Sequence, residues 1–206
     1  LAFLGWNPGT EEELFSLGEL IQAFSIERVG KSGARFDFEK TKWFNQQYIK
    51  NKSNEELVQL TEDLFKKEDY QADQETLLNI CELVKERATF LHEIPSLAYY
   101  FFEDVKEYDE KNLRKKWKNE NSEAFKQLLS SLSDLENFKS EAIEKLVKDF
   151  MEKFSLGFGQ VLPILRISIT GTMQGPPIFA VMEVLGKTNC LNRLQKGVTL
   201  AMKLQA

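Results

Sequence analysis

A chain of 206 residues with 42% hydrophobic and 29% charged side chains is long enough for one or two folded domains and too apolar to be disordered. No run approaches the roughly 18 apolar residues of a membrane span, and the N-terminus lacks the charged region and long apolar stretch of a secretory leader, so no membrane partner is expected. The net charge of −5 argues against a polyanionic partner for the chain taken whole, and Cys81 and Cys190, which belong to no CxxC pattern, read as reduced thiols of a cytoplasmic protein.

Taken in order, the elements read as almost entirely helical. Ser16-x-x-Glu19 is a capping-box pattern ahead of Leu17, Leu20, Ile21 and Phe24, which share one helical face. Asp37 can cap a helix through Trp43, Phe44, Tyr48 and Ile49. Ser53-x-x-Glu56 repeats the capping box before Leu57, Leu60, Leu64 and Phe65. Leu77, Leu78, Cys81 and Val84 mark the next helix, which ends near Arg87. Pro95 is expected to break the pattern, with Ser96 starting a short aromatic helix over Tyr99–Phe102. Helices over about Glu110–Trp117, Glu123–Leu132 and Ser140–Phe154 follow.

The last fifty residues change character, with glycines and prolines clustered from Gly157 to Gly186. Val161–Ser168 has the β-branched content of a strand, but a short helix entered through Gly159, with Pro163 in its first turn, is favoured. Gly171–Pro177 reads as a loop, Ile178–Leu185 as a helix stopped by Gly186, and Leu191–Leu204 as the final helix. Asn51–Asn54 and Glu103–Glu110 are polar seams suited to subdomain boundaries.

Charge is unevenly distributed. Residues 1–53 are neutral, residues 54–153 carry −9, and residues 154–206 carry +4. A polyanion would prefer the last segment and locally basic faces of the rest. Gly30–Lys31–Ser32 lacks the upstream glycine of a phosphate loop, since Ser25 stands there, and reads as a polar turn. Gly157-x-Gly159 lacks a third glycine and reads as a helix-end turn. His92 is the sole histidine, with neither metal-ligand spacing nor a nucleophile-elbow pattern around it. Arg87 suits a helix C-terminus. Arg166 lies within the apolar Leu162–Ile169 and must have partners; a phosphate, a base edge or a structural carboxylate would each serve.

The blocks Leu4–Gly9, Phe15–Leu17, Lys31–Ala34, Phe36–Asp37, Glu39–Lys40, Trp43 and Tyr48–Ile49 resemble bacterial-type glutamyl-tRNA synthetases of the discriminating kind. So do Leu165–Arg166, Thr170–Gly171, Gly175–Pro176, Phe179 and Glu183-x-Leu185–Gly186–Lys187, with Arg87 and Pro95 at the family's spacing. Residues 103–155 are only weakly similar. The family's HIGH-like and KMSKS-like motifs are absent, and the chain opens on Leu1, so an upstream catalytic part is expected elsewhere. Arg35 and Thr41 depart from the family's apolar preference, and Lys50 stands where arginine is usual.

The resemblance implies a mainly α fold: the end of a helical stem-contact domain at 1–53, then two helical anticodon-binding subdomains at 54–103 and 104–206. It implies contact with tRNA(Glu) through Arg87, Arg166, Thr170, Gly175, Pro176 and Ile178, and a phosphate contact from Lys50. It further implies a monomer that binds no DNA, with no cofactor in this segment and with ATP and Mg used by the parent ligase. Three rivals remain. They are a non-catalytic helical scaffold that binds protein, a hydrolase built on His92 and a serine, and a family member that does not discriminate between glutamate and glutamine tRNAs.

Overall fold

The computed structural model describes residues 2–30, 33 and 35–205. Among these the chain is a succession of helices, and the only β pairing is one isolated bridge between Trp6 and Val29. Lys31, Ser32 and Ala34, part of the polar turn and of one family block, lie outside the described residues.

The helices are α1 (Leu17–Ala23), α2 (Phe38–Lys50), α3 (Asn54–Lys67), α4 (Gln74–Val84), α5 (Ile94–Leu97), α6 (Tyr99–Phe102) and α7 (Glu110–Lys116), then α8 (Ser122–Asp134), α9 (Ser140–Lys153), α10 (Phe158–Thr170), α11 (Ile178–Leu185) and α12 (Lys187–Leu204). Local chemistry sets many of their starts. Ser16 and Ser53 each form a full capping box, with Glu19 and Glu56 returning to the cap N–H. Asp37, Asp73 and Asp109 each accept from the backbone N–H three residues on.

Four boundaries differ from the sequence expectation. Pro95 does not break a helix; it sits in the first turn of α5, where its missing N–H has no partner to lose. Ser96 lies inside that helix and donates its hydroxyl to the Glu93 carbonyl (2.7 Å). Helix α10 starts at Phe158, just before the expected entry at Gly159, is capped at Gly157, and carries Pro163 in its interior. Burial of Val161, Ile164, Leu165, Ile167 and Ile169 overrides both the proline and the strand propensity. Gly157 therefore opens a helix instead of ending one; the end of α9 is turned by Ser155, at φ 53°. Helix α12 begins directly after Gly186, whose φ of +78° makes one tight corner between α11 and α12. Its first turn is polar, and apolar spacing alone does not reveal it.

Two apolar clusters form the core. The smaller gathers Ile49 of α2, Leu57 and Phe65 of α3, Ile80, Cys81 and Val84 of α4, and Ala88, Ile94 and Ala98. The larger draws on α6 to α12, from Tyr100 through Trp117, Phe125 and Leu165 to Ala201. Phe101 packs against both, Val184 of α11 reaches the smaller, and Leu83 of α4 reaches the larger. The contact between α4 and α11 is thus what brings the two clusters side by side. At the N-terminal end, Phe3 packs on Trp6, Phe15 and Phe44, while α1 buries none of its residues.

Candidate nucleic-acid interface

The loop between α10 and α11, residues 171–177, lies where the two clusters meet, and two arginines converge on it. Arg87 ends the 3-10 turn Lys85–Arg87 that extends α4; its exposed side chain donates from Nη2 to the Gly175 carbonyl (2.5 Å). Arg166 projects from α10, half-buried, and donates from Nη1 to the Pro176 carbonyl (2.7 Å). Consecutive carbonyls therefore take one guanidinium each. No carboxylate pairs with either cation among the described residues, so the structural-carboxylate option for Arg166 is replaced by a backbone carbonyl.

The loop's shape follows from its sequence. Gly171 closes α10 at φ +80°, and a Cβ there would stand 2.5 Å from the Glu107 carbonyl oxygen, so only glycine fits. Thr170 donates its hydroxyl to the Arg166 carbonyl (2.9 Å), and its own carbonyl accepts from the Tyr99 hydroxyl (2.8 Å). The Thr172 hydroxyl closes the tip on the Gln174 carbonyl (2.6 Å). At Gly175 a Cβ would meet Arg166 Nη1 at 2.9 Å, so the absent side chain is what admits the guanidinium.

The electrostatics favour an acceptor-rich ligand. Burial, and next the neighbouring Arg87 charge, push the Arg166 pKa down, yet an arginine stays protonated in proteins. Tyr100, 5% exposed, keeps a hydroxyl with no hydrogen-bond partner. Burial pushes that hydroxyl's pKa up, against the pull of Arg166 and Arg87. Two donor-only planar cations beside an unsatisfied hydroxyl suit a base edge or a phosphate, both of which offer acceptors.

The structure brings Arg87, Arg166, Gly175 and Pro176 into one place. Thr170 is fully buried beneath them and acts on the loop from within. Ile178 is 3% exposed, and its side chain belongs to the larger core. Lys50 stands apart on α2, paired with Glu86 (2.8 Å), the residue beside Arg87. The sequence reading gives Tyr99 and Tyr100 only a place in a short aromatic helix and no part in the site; the signal is their hydroxyls, which need partners once buried. His92 is exposed and stacks on Phe90, and no group of three His, Cys, Asp or Glu side chains among the described residues could hold a metal.

Comparison with known proteins agrees in kind with this geometry. The glutamate–tRNA ligase of Christiangramia forsetii is 42% identical over 96% of this chain and 39% of its own length. That of Flavobacterium johnsoniae is 40% identical over 97% of this chain and 40% of its own length. The crystal structure of a glutamate tRNA ligase from Elizabethkingia meningosepticum superposes with a TM-score of 0.88 at 36% identity, covering 96% of this chain and 39% of that one. The chain thus spans about two-fifths of the length of these relatives. A family model described as an anticodon binding domain matches residues 46–198, from within α2 to near the end of α12. On that match the chain belongs to the anticodon binding domain family.

Proposed function

We propose that this chain is the anticodon-reading part of a glutamate–tRNA ligase, an enzyme that joins glutamate to tRNA(Glu) using ATP. The observation that carries the reading is the convergence of Arg87 and Arg166 on the Gly175–Pro176 carbonyls. Residues 1–53 are the end of a stem-contact domain, and 54–103 and 104–206 are two anticodon-binding subdomains; the two apolar clusters follow the latter division apart from Tyr100, which joins the larger, while Ile49 ties the first segment to the smaller. ATP and Mg are bound by the parent outside this chain, which alone does not activate glutamate. The parent acts in the cytoplasm as a monomer.

Arg87 reads the third anticodon base. Cytosine, which ends glutamate anticodons, offers two adjacent acceptors beside one amino donor; guanine, which ends glutamine anticodons, offers mostly donors. A donor-only planar guanidinium matches the first and repels the second. Arg87 donates to a carbonyl oxygen, an acceptor of the kind cytosine presents. Arg166 and the loop serve a second base, and Lys50 exchanges Glu86 for a phosphate.

In the intact enzyme, Arg87→Gln should narrow the preference for glutamate over glutamine tRNA by about 1–3 kcal/mol. An unchanged ratio of the two charging efficiencies counts against the assignment. For the isolated chain, tRNA affinity should fall steeply as salt rises, because phosphate contacts release counterions. Absence of RNA binding at low salt would instead favour the protein-binding scaffold.

A further inference from the structure

The two arginines belong to different parts of the molecule. Arg87 extends α4, which builds the smaller apolar cluster, and Arg166 stands on α10 of the larger one. They meet through a single residue. The Gly175 carbonyl accepts from Arg87, and the missing Gly175 side chain is the space that Arg166 Nη1 occupies, 2.9 Å from where a Cβ would be. The next carbonyl, that of Pro176, holds Arg166.

Pro176 and Pro177 follow directly, and each ring fixes its own φ. The two carbonyls are therefore carried on a stiff segment. Turning the peptide that receives one guanidinium turns the acceptor of the other. Burial, and next the Arg87 charge, lower the Arg166 pKa, so the two guanidiniums also act on each other electrostatically. Close to them the buried Tyr100 hydroxyl has no protein hydrogen-bond partner.

We propose that Gly175 is a positioning residue that links Arg87 to Arg166, so that two anticodon bases are read jointly and not independently. The inference rests on the proposal that both arginines face anticodon bases. A base that draws Arg166 off the Pro176 carbonyl shifts the Gly175 peptide, and with it the rest position from which Arg87 meets the third base.

The test is a binding cycle on this chain, with anticodon-arm RNA hairpins at fixed salt. The hairpins combine cytosine or guanine at the third anticodon position with the glutamate base or a swapped base at the first or middle position. In the unaltered chain, the preference for cytosine should change about 5-fold or more when the base facing Arg166 is swapped. In Gly175→Ala, and in Arg166→Lys, which keeps the charge but not the fork, the preference should become independent of that base to within about 2-fold.

Independence in the unaltered chain, with cytosine still preferred, overturns the link and leaves the anticodon reading standing. Equal binding of every hairpin and of a scrambled loop overturns the anticodon reading and the link with it. Joint reading that persists in folded Gly175→Ala removes Gly175 from the role. Should Gly175→Ala not fold, persistence in Arg166→Lys overturns the link.

Discussion

Arg193 sits 5% exposed inside the larger core, and among the described residues no carboxylate forms a salt bridge with it, although its charge reaches Asp104. Its Nη1 donates to the carbonyls of Tyr100 (2.7 Å) and Ile169 (2.9 Å), and its Nη2 to that of Glu103 (2.7 Å). These carbonyls lie at or just past the C-terminal ends of α6 and α10, where the helix dipole is negative and the last C=O groups lack helical partners. One cation thus satisfies two buried acceptors and a part-buried one, and neutralises two helix ends. Removing it strands two acceptors in the core and a third at its edge, so Arg193→Met should cost about 3 kcal/mol. Urea unfolding followed by circular dichroism measures this, and a loss below about 1 kcal/mol would mean that water replaces the guanidinium. Sequence showed that Arg193 was basic and C-terminal and nothing more. Its acceptors lie at residues 100, 103 and 169, and no spacing rule connects them to it. Arg166 was more legible, because a lone cation within Leu162–Ile169 must find partners, but the kind of partner was not.

Between elements, a side chain from one helix caps another. Glu183 of α11 accepts from the backbone N–H of Ser140, the first residue of α9, through Oε2 (2.7 Å). Its other oxygen meets Lys139 (3.0 Å). The Ser140 N–H first, and Lys139 next, hold the Glu183 pKa below the usual value of 4.5. A carboxylate whose folded pKa is depressed stabilises the fold above its unfolded value and loses that contribution as pH falls through the folded one. Glu183→Gln should therefore cost about 1 kcal/mol at neutral pH. Its deficit relative to the unaltered chain should shrink below about pH 4.5. Urea midpoints of both proteins at pH 7 and pH 3.5 decide it; a deficit equal at the two values would assign the cost to packing. Caps supplied within a segment, such as Ser16, Ser53 and Asp37, could be read from sequence because donor and acceptor lie three residues apart. The cap on α9 comes from 43 residues away and could not. The same holds for α10, whose strand-like composition is overruled by its neighbours. At one of these contacts Gly197 of α12 passes so near α10 that a Cβ would stand 2.1 Å from Ser168 Oγ.

At the scale of the whole chain, helical content and the stop of α11 at Gly186 could be anticipated from the sequence, whereas the immediate start of α12 could not. The meeting of the two arginines on adjacent carbonyls could not, since it depends on α4 packing against α11. The division into a smaller and a larger cluster has an experimental handle in its sulfur atoms. Cys81 lies fully buried in the smaller cluster and Cys190 fully buried in the larger, and both are free thiols. Burial pushes their pKa values up to about 11 and about 12, so neither is a ready nucleophile while its surroundings stay closed. Each cluster therefore holds its own chemical clock. An alkylating reagent followed by peptide mass analysis times the opening of the two halves separately in one sample. The smaller cluster should open first as urea rises, labelling Cys81 before Cys190; simultaneous labelling would show instead that the two halves open as one unit.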